Sequence, residues 1–310
     1  MFASRPVAAL LFSISLTACS GTSAKQQTAP ATEGALPGSK ELIAHDWTIG
    51  PGVETYFCVY QTLTEDVWIS AFDPTEPLGT HHVVVGFDDP GTRPDGVVSS
   101  EDGSGSSTTC SGVQLSQNMV YFGGVGAGSF EMPKDVAVRI PAGKQLFLGL
   151  HLFNTADTEL SGRSGMRILG PDGGTAPNEA EAVAMGKVAG LVIPPGKVTQ
   201  TGTCTETADA TAFALAPHMH LAGRHNKTTV GPPGGPATTI FDEDYAFEAQ
   251  PYTTLPTPVL LHQNDVITVE CDYENTGSQT LNFGESTRNE MCFSFVYRYP
   301  KIATTSVCTN

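Results

Sequence analysis

Apolar and β-branched residues fall in short runs bounded by Gly, Pro, Asn and Asp, and no long stretch keeps a helical period. The runs lie at 54–63, 67–72, 82–87, 136–140, 145–153, 188–193, 266–273 and 291–299. This pattern predicts an all-β chain. Two of the runs echo each other. Residues 145–155 read QLFLGLHLFNT and residues 266–276 read VITVECDYENT; each follows a turn and ends in Asn-Thr. A duplicated sandwich topology would explain the echo, and so would a chance likeness of two sandwich strands. A polar stretch rich in Gly, Pro and Ala at 171–184 is the expected junction between domains at 41–170 and 185–310.

Composition fits this picture. With 33 Gly and 22 Pro in 310 residues, turns are frequent, and 40% apolar content suffices for packed cores. A net charge of −16 repels phosphate, which argues against a nucleic-acid binder. No apolar run reaches the roughly 18 residues of a membrane span.

The first residues read as an address. Arg5 precedes a short apolar stretch, and Leu16-Thr17-Ala18-Cys19 resembles a bacterial lipobox. The resemblance implies cleavage after residue 18 and lipid on Cys19; the plainer reading is a secreted protein that loses Cys19 with its signal. Residues 19–40 would be a flexible tether. The expected product is an exported cell-envelope lipoprotein, held at a membrane only by its lipid and acting as a monomer. The six remaining cysteines, Cys58, Cys110, Cys204, Cys271, Cys292 and Cys308, suggest three disulfides, for which spacing alone allows fifteen pairings.

Five of the eight histidines cluster, as His81-His82, His151 and His218-Met219-His220. On a strand, residues two apart share a face, so His218 and His220 can chelate one metal. Adjacent His81 and His82 can do so only at a strand end or a bulge, which Gly79-Thr80 would permit. His151, inside an apolar run, reads more simply as a satisfied core or surface histidine. His45, His225 and His262 sit in polar or turn-like sequence and read as surface residues. Imidazole suits zinc, copper, iron and nickel, whereas a thioether favours Cu(I). Met291, beside Cys292 in an apolar run, reads in isolation as core.

Together these pieces resemble the copper type II, ascorbate-dependent monooxygenases. The matching segments run in the family's order: Glu54-Thr55-Tyr56-Phe57-Cys58, His81-His82, Leu150-His151, Ile193-Pro194-Pro195-Gly196, His218-Met219-His220-Leu221-Ala222-Gly223-Arg224, Asp265-Val266 and Glu290-Met291-Cys292. The resemblance implies two jelly-roll-like antiparallel β-sandwich domains facing each other across a solvent-filled cleft, with two coppers per chain. It implies His81, His82 and His151 as ligands of an electron-storing copper. It implies His218, His220 and Met291 as ligands of the copper that activates O2 for attack on a substrate C–H bond. Ascorbate or another one-electron donor would supply the two electrons. It further implies the disulfides Cys58–Cys110, Cys271–Cys292 and Cys204–Cys308.

The chain departs from the peptide-hydroxylating members. Their carboxylate clamp of Arg, Asn and Tyr is replaced here by Ala216, Phe293 and Phe295. Loss of the guanidinium removes a charge-assisted contact to a carboxylate, so peptides ending in glycine are poor candidates and the phenylalanines would make the pocket apolar. The H-x-H-x-x-G-R stretch looks closer to the dopamine-hydroxylating branch. The expected function is hydroxylation of a small organic molecule. The competing classes are an exported copper-binding protein for storage or delivery, and a metal-free adhesion or glycan-binding sandwich.

Overall fold

Burial alternates residue by residue along Val266–Asn275, with Ile267, Val269, Cys271 and Tyr273 inward and Thr268, Glu270, Asp272 and Glu274 outward. A strand with this period covers a core with one face only. Gln145–Phe153 behaves differently: every residue but the last is buried, as its nearly unbroken apolar run requires. The computed structural model describes residues 35–90, 93–99, 110, 118–124, 126–284, 286–302 and 306–309. The expected signal and Cys19 lie outside these; of the expected tether only 35–40 is described, and there Leu36 and Ser39 are hydrogen-bonded to Asp73 and Lys40 already begins a strand, so the flexible reading does not extend to its end.

The described residues are all-β. One four-stranded sheet runs Lys40–Ile49, Leu160–Leu169, Ala71–Thr75, Phe130–Glu131. It packs on a five-stranded sheet ordered Gly96–Ser99, Glu54–Thr62, Gln145–Phe153, Thr80–Asp88, Asn118–Gly124. A seven-stranded sheet follows the path Thr253–Leu261, Ala210–His218, Cys292–Tyr299, Asn178–Lys187, Val136–Ile140, Val67–Ile69, with Val307–Thr309 pairing beside Asn178–Lys187. Its one face meets a second four-stranded sheet, Gly196–Thr205, Val266–Asn275, Gly223–Gly231, Thr238–Asp244. A two-stranded pair, Val192–Ile193 with Leu281–Asn282, completes the set.

Three expectations change. Residues 178–184 are no junction but the start of Asn178–Lys187, a strand inside the seven-stranded sheet that pairs in parallel with Val136–Ile140 from the first half. Alanine is depleted in strands, so this Ala-rich segment does not announce itself; buried in mid-sheet, its small side chains are tolerated. The run 67–72 breaks at Ser70 into two strands of different sheets. Of 188–193 only Val192–Ile193 is strand, because Gly190 takes a turn at φ 66°.

The sequence echo has a physical counterpart. Asn154 and Asn275 end the two echoing segments, and both are buried. Asn154 Nδ2 donates to Thr158 O at 2.8 Å while its Oδ1 accepts from Ala156 N. Asn275 Nδ2 donates to Gln279 O at 2.8 Å while its Oδ1 accepts from Gly277 N. Each asparagine closes the same turn by the same Asx geometry.

The disulfides are Cys58–Cys110, Cys204–Cys308 and Cys271–Cys292. The last joins the two sheets of the second sandwich. Three such bonds belong to an oxidising compartment. Between the five-stranded and seven-stranded sheets lies a further buried cluster, with Phe122 and Phe147 from one side and Ala216, Met291, Phe293 and Phe295 from the other. At this level the two faces meet through packed aromatic side chains rather than open solvent.

Candidate metal centre

His82 and His151 are cross-strand partners, and the ladder then slips so that Leu152 pairs with Thr80. His81 is therefore the extra residue of a bulge, the distortion that lets adjacent histidines reach one point. Gly79, at φ 100°, supplies the turn before it. The ligand atoms of His81, His82 and His151 lie within 4.8 Å of one another. His81 Nδ1 and His82 Nδ1 are 3.4 Å apart, close to the edge of a tetrahedron built on metal–nitrogen bonds of roughly 2 Å. His151 Nε2 meets Glu54 Oε1 at 2.7 Å, and Tyr56 stacks on its ring at 4.3 Å. The carboxylate fixes the proton on Nε2 and leaves His151 Nδ1 with its lone pair, buried and without a partner. Burial, reinforced by the neighbouring imidazoles, holds His81 and His82 well below the usual histidine range. Neutral rings are the form that binds metal.

The second cluster straddles a strand end. His218 closes Ala210–His218 opposite Phe293, and His220 lies just beyond, with the two rings 5.1 Å apart. His218 Nδ1 lies 2.9 Å from Gln250 Oε1; because Gln250 Nε2 donates to Phe247 O, that Oε1 must accept. His220 Nδ1 faces the carbonyl of Asn289 at 3.1 Å. Both rings thus carry their proton on Nδ1 and offer Nε2, and His218 Nε2 is buried without a partner. Burial pushes His218 down to about 3 and His220 to about 4.

Glu290 binds this turn to the next strand. Its carboxylate accepts from His220 N at 2.8 Å and Ala222 N at 2.7 Å, while burial pushes it up to about 7. Met291 follows, 1% exposed, its carbonyl taking the Tyr273 hydroxyl at 2.6 Å. Continuing the His218–Phe293 register sets Met291 level with His220. Ala216, Phe293 and Phe295 are all buried in the same apolar cluster as Met291, and the Phe295 ring lies 6.2 Å from that of His218.

The other histidines stay apart. His45 packs against Phe57, His225 pairs with Asp242 at 3.1 Å, and His262 is exposed. Sequence reasoning assigned no role to Glu54 or Glu290, although both stand in quoted motifs, and missed Gln250. Nothing local marks Gln250, which meets His218 across 32 residues of chain.

His151, His218 and His220 are each held by an outer partner, and unpartnered nitrogens of His82, His151 and His218 are buried, so the donor set fits a redox metal that accepts imidazole and thioether. Residues 178–310 match the family model described as copper type II ascorbate-dependent monooxygenase, C-terminal domain. The chain is 31% identical to dopamine beta-hydroxylase of Rattus norvegicus over 196 residues, covering 57% of this chain and 31% of that protein. It is 28% identical to the putative DBH-like monooxygenase protein 2 of Homo sapiens over 206 residues, covering 60% and 41%. It is 26% identical to the DBH-like monooxygenase protein 1 of Gallus gallus, covering 60% and 34%. These matches thus span well under half the length of each relative. Among solved structures, that of infectious bursal disease virus Gt strain aligns over 86% of this chain and 77% of that one, at 12% identity and a TM-score of 0.17, too low to bear on fold or function.

Proposed function

We propose that the chain is a member of the copper type II ascorbate-dependent monooxygenases, whose C-terminal-domain model its residues 178–310 match, and that it hydroxylates a C–H bond of a small organic substrate with O2 and two electrons from ascorbate or a similar donor. The observation that carries this reading is the pair of histidine clusters in which outer partners hold His151, His218 and His220 while a ring nitrogen of His151 and of His218 stays buried without a partner. His81, His82 and His151 would hold one copper; His218, His220 and Met291 would hold the other. Copper supplies one-electron redox and O2 chemistry when bound.

The remaining tasks fall to this chain's residues. Glu54, Gln250 and the Asn289 carbonyl orient the imidazoles. Glu290 ties the His220 turn to Met291 through two backbone amides, so the two parts of one ligand set move together. Phe122, Phe293 and Phe295 line an apolar surface beside His218 and exclude water from it. Ala216 offers no cation, which disfavours substrates anchored by a carboxylate. The leader reading makes the protein an exported lipoprotein anchored at Cys19, in keeping with its disulfides.

Copper loading and dialysis of the protein, followed by X-ray absorption on the Cu(I) form and O2 uptake with reductant, tests the reading. Two coppers per chain, a sulfur scatterer and substrate-dependent O2 uptake are expected. Two coppers without uptake would instead establish a binding protein, and no copper a metal-free sandwich.

A further inference from the structure

One short stretch of the second half, residues 247–252, touches both histidine clusters. The Phe247 ring lies 4.8 Å from that of His81. Three residues on, Gln250 Oε1 accepts a hydrogen bond from His218 Nδ1, and Gln250 Nε2 donates to the Phe247 carbonyl at 2.9 Å. The segment is stiff: Ala249 N–H closes a turn onto Ala246 O at 3.0 Å, and Pro251 locks its own φ.

Tyr252 extends the contact to the first half. Its hydroxyl donates to Phe122 O and accepts Phe122 N–H at 2.9 Å, while the Tyr297 hydroxyl donates to Val120 O at 2.8 Å. Asn118–Gly124 is the edge strand of the five-stranded sheet, and these hydroxyls satisfy backbone groups on its open side. The pinned strand aims Phe122 between the clusters, 5.5 Å from the His82 ring and 4.3 Å from the His218 ring, stacked at 4.9 Å on Phe295. At its end, Gly124 approaches Gln250 so closely that a Cβ would lie 2.7 Å from the carboxamide carbon. Only glycine permits that approach.

We propose that residues 247–252 form a clasp that sets the separation of the two metal centres, holding His81 and His218 from one stretch of backbone and fixing Phe122 as the dry partition between them. Phe247, Gln250, Tyr252 and Phe122 are positioning residues, and their effect on turnover rests on the monooxygenase reading. The clasp's hold on the two halves does not, so it is tested separately.

Nitroxide labels at Val97 and Leu260, exposed positions in the two halves, report the spacing of the metal-free full chain by pulsed EPR. Wild type is expected to give one narrow distance. Tyr252→Phe combined with Tyr297→Phe keeps the rings and removes the hydroxyls, and is expected to broaden the distribution at least twofold with the three disulfides intact. An equal width in both proteins overturns the clasp, whatever copper does. With copper loaded, the double variant is expected to keep both metals, to lose dipolar coupling between the Cu(II) centres, and to give about 100-fold less product in a fixed time, the scale on which a misplacement of about 1 Å acts. Unchanged dipolar coupling and unchanged product yield overturn its role in spacing. A wild type that binds two coppers and makes no product, yet shows the narrow-to-broad change, removes the monooxygenase reading and leaves the clasp standing.

Discussion

Glu54 Oε1 lies 2.7 Å from His151 Nε2, and the opposite ring nitrogen of His151 is buried with no partner. The carboxylate therefore decides which nitrogen faces the centre, from a strand adjacent to that of the histidine. A glutamine in its place keeps the volume and can present the wrong end of an amide. Glu54→Gln is expected to weaken copper at the three-histidine centre by about 10–100-fold and to spare the other centre. Competition titration with a chelator, read site by site, checks this; equal affinities would mean that something else sets the tautomer.

Met291 is fully enclosed, so truncation to alanine would open a cavity costing about 2–5 kcal/mol and confuse stability with chemistry. Met291→Leu is nearly isosteric, with an expected cost under about 1.5 kcal/mol. It should abolish the sulfur scatterer in Cu(I) X-ray absorption and abolish hydroxylation while the melting temperature barely moves. Turnover that survives the substitution would remove Met291 from the ligand set.

The Cys271–Cys292 bond crosses the second sandwich and enters the strand that follows Met291. Replacing both residues by alanine avoids a stray thiol. The expected loss is about 2–5 kcal/mol, read as a lower denaturant midpoint. An unchanged midpoint would show that packing alone secures the two sheets.

Glu76 is a buried carboxyl outside both clusters, with Oε1 unpartnered, and burial pushes it up to about 8 from 4.5. Between those values the folded chain holds a proton that the unfolded chain has released, so this group's contribution to stability falls as pH rises through the window and levels off above about 8. Glu76→Gln should match wild type in melting temperature near pH 4 and exceed it near pH 8. Parallel melting curves across that range would refute the assignment.

Much of this protein was legible one residue at a time. Short apolar and β-branched runs bounded by turn residues, with no helical period, pointed to an all-β chain because strands are short and their connections need residues that turn. The adjacent histidines could meet one metal only at a strand end or a bulge, since neighbours on a regular strand point apart, and a bulge lies at His81. The Asn-Thr echo foreshadowed two turns closed alike by Asn154 and Asn275. These features are local: side-chain direction and turn chemistry depend on a few neighbouring dihedrals.

Tertiary structure decided the rest. Residues 178–184 look like a linker until a sheet buries them on both faces, because strand stability resides in partners that sequence order does not reveal. Gln250 and Glu54 gain meaning only from rings 32 and 97 residues away. The tautomers of His151, His218 and His220 and the apolar partition at Phe122 all arise from contacts between distant segments. Sequence alone supplied the donors; the packed fold chose which atom of each donor stays free, because a buried polar atom takes whatever partner the surrounding chain brings within reach.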